Sequence, residues 1–227
     1  MRKRITLLLA ITTLFSVFKM TAQTPFQQEI WIGGSLGVNF SSINFVPKVW
    51  QGMNMGYTGG LALRWITEKH LGLQAELNYS QQGWKEDFTD NPNYEEYAGS
   101  HYERTINYLE LPFLTHIYFG KKSFRFYVNL GPKISYAISE STSSLLEGEA
   151  ANYKNEQHDM PIENKFEWGL CGGPGLELRT GVGSFMLEGR YYYALSDIYG
   201  NKKKDEFSKS SGQTLSVRLT YLLPLRK

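Results

Sequence analysis

Eight stretches of this chain alternate apolar and polar residues with a period of two, and the segments joining them are long and short by turns. In Leu71–Tyr79, the residues Leu71, Leu73, Ala75, Leu77 and Tyr79 share one face, while Gly72, Gln74, Glu76 and Asn78 share the other. Successive side chains of a strand point to opposite faces, so each stretch reads as a strand with one greasy side and one polar side. Two architectures use such strands. A soluble sandwich turns the apolar side inward; a membrane barrel turns it outward to lipid and keeps the polar side within.

The strands are expected at about 30–40, 56–67, 70–83, 106–119, 124–138, 166–179, 184–195 and 213–223. Only Glu68–Lys69, Gly120–Ser123 and Thr180–Gly183 separate the members of three pairs, as hairpin turns. The other gaps, about 41–55, 84–105, 139–165 and 196–212, are long. An up-and-down membrane barrel with both termini in the periplasm has that asymmetry. The expected outward face carries no charge, which matters because Lys or Arg on a lipid face costs roughly 2–4 kcal/mol at the midplane. Aromatics gather at both ends of that face, as residues at the two water–lipid boundaries do. Trp65, Phe119, Phe124, Phe185 and Tyr221 mark the periplasmic girdle; Tyr57, Tyr79, Tyr136, Trp168 and Tyr191 mark the outer one. The fold expected is therefore all-β: an eight-stranded antiparallel up-and-down transmembrane β-barrel. A soluble ligand-binding barrel is the weaker alternative. Pro112, Pro132 and Pro174 fall inside strands, and each is expected to need a bulge or a water-bridged gap.

Residues 1–22 read as a secretory signal, with a basic start at Arg2–Arg4, an apolar centre over Ile5–Phe18 and cleavage between Ala22 and Gln23. The barrel domain then runs over 23–227. The leader holds four of the 24 Lys and Arg residues, so the mature chain carries 20 basic against 22 acidic residues. That balance gives no reason to expect nucleic acid binding. Mean hydropathy is −0.37, and no later run is long and apolar enough for a membrane helix. Cys171 is the single cysteine, which leaves no disulfide framework, and no cysteine follows the leader to be lipidated.

The polar face collects charge of both signs. Glu76, Glu110, Glu167, Glu177 and Glu188 stand against Arg64, Arg125, Lys133, Arg179, Arg190 and Arg218. An eight-stranded barrel is just wide enough for side chains to fill, and unpaired buried charge is costly. The eleven residues are expected to form a salt-bridged network that closes the lumen; a charged conduction path is the competing reading. No HExxH, Walker or CxxC motif occurs, and no Ser–His–acid set falls at one depth. His116 projects inward and reads as a structural partner. His70 lies at a turn, and His101 and His158 lie in outer loops. Cys171–Gly175 lacks the following helix that a phosphate cradle needs. No cofactor, metal or catalytic residue is expected. The outer loops, acidic and aromatic over Lys85–Tyr97, with Glu147, Glu149, Glu156 and Asp159 in the next and Lys202–Glu206 in the last, are the surface on which a partner would be met. The Asp87/Asp90/Asn91 spacing matches no cation loop.

Five segments in order, Leu73–Gly83, Tyr108–Phe113, Leu130–Lys133, Gly173–Glu177 and Leu187–Asp197, resemble the outer-membrane β-barrel family often called porin-family or PorT-like proteins. Members commonly end on an aromatic residue, whereas here Leu222–Lys227 follows Tyr221. The resemblance implies an integral protein of a Gram-negative-type outer membrane, eight-stranded and without catalytic residues, with lipid as its solvent. It also implies protein secretion as an associated role of the PorT branch. The functions expected are, first, a non-enzymatic barrel, monomeric, structural or binding a protein partner through its outer loops. A small pore or secretion accessory is second, and a membrane-embedded lipid-modifying enzyme third.

Overall fold

The structure, a computed structural model, describes residues 26–87, 100–121, 123–145, 156–202 and 205–226. The leader, the Ala22–Gln23 bond, Asp90, Asn91, Glu147, Glu149, Lys203 and Lys204 lie outside these. The chain folds as eight strands: β1 (Glu29–Val46), β2 (Gly52–Glu68), β3 (Leu71–Asp87), β4 (His101–Gly120), β5 (Phe124–Leu145), β6 (Phe166–Arg179), β7 (Ser184–Ala194) and β8 (Lys209–Arg226). One helical turn, α1 (Glu156–Asp159), precedes β6. Every strand pairs antiparallel with its sequence neighbours, and β8 returns to β1 to close the barrel. Closure satisfies every strand edge internally, which a sheet surrounded by hydrocarbon must do.

The three tight turns lie at one end, and each places one residue in the left-handed region: His70 (φ 78°), Gly120 (122°) and Gly183 (154°). His70 is the non-glycine of the three. Its ring is tied down by a 2.9 Å bond from Nδ1 to the Tyr118 carbonyl and stacks on Phe119. A glycine is also required at 175, where an added Cβ would lie 2.2 Å from the ring of Tyr127.

Each proline sits at a gap in one ladder, without a bulge. No register shift occurs at any of them. The β3–β4 pairing omits the positions facing Pro112, β4–β5 those around Pro132 and β6–β7 those around Pro174, each resuming in the same register. The opposite side of each proline stays paired, with Lys133, Leu170 and Val128 respectively. In an antiparallel ladder a residue bonds to one neighbour only, so the missing N–H interrupts one ladder and leaves the other whole. The register shifts lie elsewhere, at Ile30/Trp31, Met53/Thr58, Ile66/Glu68 and Asn107/Tyr108.

A tilted strand of about 9–11 residues crosses a bilayer, yet β4 has 20 and β5 has 22. The surplus lies at the long-loop end, where the amphipathic sense of the strands inverts. Over Leu109–Phe119 of β4 the outward residues are apolar (Leu109, Leu111, Phe113, Ile117, Phe119) except Thr115, and the inward ones include Glu110 and His116. Over His101–Tyr108 the outward residues include Glu103, Thr105 and Asn107, while Tyr102, Ile106 and Tyr108 are buried inside with Arg104. The same inversion on β1 and β3 buries Ile43, Phe45 and Trp84, and the loops add Ile162, Ile198, Tyr199 and Phe207. The molecule is thus an inside-out barrel below and an ordinary apolar core above.

Candidate functional site

The lumen holds the chemistry, in three layers. In the middle layer Arg190 is the hub. Its Nη1 and Nη2 each donate to Glu76 at 2.8 Å, and its Nε donates to Glu188 at 2.6 Å. Arg218 reaches the same Glu76 at 3.2 Å and also bonds Ser35 and Asn78. Lys133 donates to Glu110, which also accepts from the Gln82 amide, and its ammonium lies 3.4 Å from the centre of the Tyr192 ring. The Tyr192 hydroxyl donates in turn to Glu167 at 2.9 Å. Arg64 donates to Gln74 at 2.8 Å and lies 3.4 Å from Glu177. Asn129 joins Glu188 to His116, whose Nδ1 meets the Asn129 carbonyl oxygen at 2.8 Å. Neutral amides therefore link the ion pairs, and Gln74, Gln82 and Asn129 are members that charge counting alone passes over. The cavity at this level measures about 10 Å³ and is lined by Asn39, Glu110, Lys133, Arg190 and Arg218 among others. That is room for about one water molecule. Cys171 is buried among these groups as a free thiol.

The upper layer centres on Arg104, a residue the alternation leaves in a loop. It pairs with Glu140, donates to the carbonyls of Gln157 (3.1 Å) and Met160 (2.7 Å) and to the Tyr199 hydroxyl (3.3 Å), and lies over the Trp84 ring. Burial pushes the Tyr199 phenol well above its usual ionisation range, so it stays a neutral partner. Beside it, Glu86 accepts from the Trp84 indole (3.1 Å) and the Gln157 amide (2.9 Å) and meets His158 Nε2 at 2.9 Å. These bonds hold α1 and Tyr199 over the lumen. The signal that could have found this layer is the inversion of face, legible in Tyr102–Tyr108 once a strand is allowed to continue past the membrane. His101 accordingly begins β4 rather than lying in a loop.

At the tight-turn end, Arg179 bonds Glu29 (2.7 Å) and Glu177 (3.1 Å) and lies over Trp31. Arg125 differs from the other ten predicted lumen residues. It lies 4.4 Å over the Tyr118 ring and has no hydrogen-bond or ion-pair partner among the described residues.

On the outside, Trp65, Phe119, Phe124 and Phe185 stand exposed at the tight-turn end, and Tyr57, Tyr79, Tyr136, Trp168 and Tyr191 at the other. Tyr221 is half-buried, packing on Phe185 and donating to the Val182 carbonyl. Beyond the outer ring the β1–β2 hairpin exposes Val46, Trp50 (47%) and Met53 (63%) to solvent. Among the described residues no cluster of three or more His, Cys, Asp or Glu could hold a metal.

Several solved barrels are similar in fold. The attachment invasion locus protein Ail of Yersinia pestis, in a complex with the heparin analogue sucrose octasulfate, is 11% identical; the match covers 86% of this chain and 99% of that one, with a TM-score of 0.42. Neisserial surface protein A is 12% identical over 85% and 96%, with a TM-score of 0.41. Outer membrane protein W of E. coli is 11% identical over 88% and 100%, with a TM-score of 0.42. No curated protein matches the chain. The profile described as outer membrane protein beta-barrel domain matches residues 21–200. With a closed eight-stranded barrel that is apolar outside and charged within, the chain belongs to this family of integral outer-membrane proteins.

Proposed function

We propose that this protein is a non-conducting, non-enzymatic barrel that works by presenting its outer end to a protein partner. The observation that carries the reading is the filling of the lumen, where buried ion pairs and amides leave a void of about 10 Å³ lined by Glu110, Lys133, Arg190 and Arg218 among others. An ion would have to break several buried pairs to pass, and each such break is expensive. The Arg104 layer lies above as a second barrier. Against an enzymatic role, one ring nitrogen each of His70, His116 and His158 is engaged by a carbonyl, an amide and a carboxylate, which are orienting contacts of the fold, and the second nitrogen of His116 is buried away from solvent. The closed ring offers no strand edge within the membrane, which suits a monomer. Trp50 and Met53 support the partner-binding half: exposed Trp and Met above the lipid boundary are the residue types that anchor interfaces.

The test is electrical. Folded protein reconstituted in planar bilayers is expected to give no stable current steps. Discrete, reproducible channels from the purified barrel would overturn the reading and favour a pore.

A further inference from the structure

We infer that the periplasmic mouth of the barrel is a binding site for a phosphate-class oxyanion, with Arg125 as the principal ligand and Arg179 beside it. The first ground is charge. Arg64, Arg125 and Arg179 face this end with Glu29 and Glu177. Arg179 engages both carboxylates and Arg64 engages Glu177, so one positive charge is left over, and it resides on Arg125. Lys121, exposed on the turn that leads into β5, adds to the excess.

The second ground is unused hydrogen-bonding capacity. A guanidinium has five N–H donors in a planar fork. The Tyr118 ring attracts the cation but takes none of those in-plane donors. Arg125 Nη1 is buried without a partner, and so is Nη2 of Arg179. The rest of the Arg125 side chain is only partly buried, at the open end of the lumen.

The third ground is placement. Arg125 stands opposite Glu177 across the β5–β6 pair, and Arg179 follows Glu177 by two on the same face. The two arginines are therefore diagonal neighbours, about 7–8 Å apart at the backbone and within reach of one ligand. Each lies on an aromatic ring, Tyr118 at 4.4 Å and Trp31 at 4.7 Å. Forks held in this way lose little freedom on binding, and paired guanidiniums match the spacing of phosphate oxygens. The anion could be free in the periplasm or belong to a lipid headgroup at the rim.

The test compares unfolding temperatures of the folded protein, read by Trp fluorescence, in inorganic phosphate and in chloride at matched ionic strength. In phosphatidylcholine nanodiscs the wild type is expected to gain a few degrees, saturating with phosphate. Arg125→Gln should lose that gain, which separates a site from the general stabilisation that phosphate gives folded proteins. Should Arg125→Gln fold poorly, saturable broadening of the phosphorus NMR line by wild type supplies the same answer. Nanodiscs containing phosphatidylglycerol, in chloride, distinguish the source: a gain there that Arg125→Gln abolishes assigns the anion to a headgroup. No gain from phosphate in phosphatidylcholine discs, together with no gain from phosphatidylglycerol in chloride, would overturn the proposal, with Arg125 turned instead onto the free oxygen of Glu177. A phosphate effect that persists in Arg125→Gln would overturn it too.

Discussion

Lys133→Met tests the closed lumen most directly. The Lys133 and Glu110 side chains are 5% and 4% exposed, so the substitution strands a carboxylate inside the barrel. Glu110 keeps the Gln82 amide, while Glu167 close by is held by the Tyr192 hydroxyl. Removing one partner of a buried pair costs about 3–5 kcal/mol, roughly two to nearly four decades in the folding equilibrium. Adding Glu110→Gln removes the stranded charge, and the double variant should regain most of the loss, because replacing a whole buried pair by neutral groups of similar volume is often close to neutral. The single replacement Glu110→Gln should also be costly, since it leaves the buried ammonium with a neutral amide and the Tyr192 ring in place of its carboxylate. The measurement is urea unfolding from lipid vesicles, followed by Trp fluorescence and by the gel mobility of the folded form. Single variants costing under about 1 kcal/mol, the range of exposed pairs, would refute the reasoning. So would a double variant costing the sum of the two. Either result means that water reaches the ammonium and that the lumen is wet.

Three other outcomes follow from the same geometry. Leu219 lies outward in mid-strand and is 64% exposed, so Leu219→Arg should cost about 2–4 kcal/mol in vesicles, whereas Leu225→Arg at the strand end should cost about 0–1. Equal costs would place the lipid elsewhere. Gly175→Val drives side-chain atoms into the Tyr127 ring and should abolish the folded gel band, while Gly189→Ala, with nothing within 4 Å of the added carbon, should stay within about 0.5 kcal/mol of wild type. Arg104→Met removes bonds that hold α1 and Tyr199, so amide exchange should accelerate over 156–160 and 196–202 and leave the membrane strands unchanged; uniform protection would show that the apolar cluster suffices alone.

Much of this was legible in the chain because alternation is a local property. Eight strands, three tight turns at one end and the inward or outward sense of Leu73 and Glu76 follow from period two, since neighbouring side chains must point apart wherever a strand exists. Of the eleven charges on the polar face, nine are buried inside the ring, and Arg125 and Arg179 are partly exposed at its tight-turn end.

Tertiary structure decided what distance along the chain cannot express. Arg190 meets Glu76 across 114 residues, and that meeting depends on the stagger and diameter of the closed ring. The same geometry leaves Arg125 without a carboxylate although Glu177 is its strand neighbour: Arg64 and Arg179 both meet one oxygen of Glu177, and Arg125 lies over Tyr118 without reaching the other. The upper half of the molecule escaped the sequence reading for a related reason. A fixed rule of apolar outward and polar inward holds only while lipid is the solvent; above the membrane water takes its place, and Tyr102, Ile106 and Trp84 turn inside to escape it. Where one solvent gives way to the other is set by the position of the whole barrel in the bilayer, which no single strand encodes.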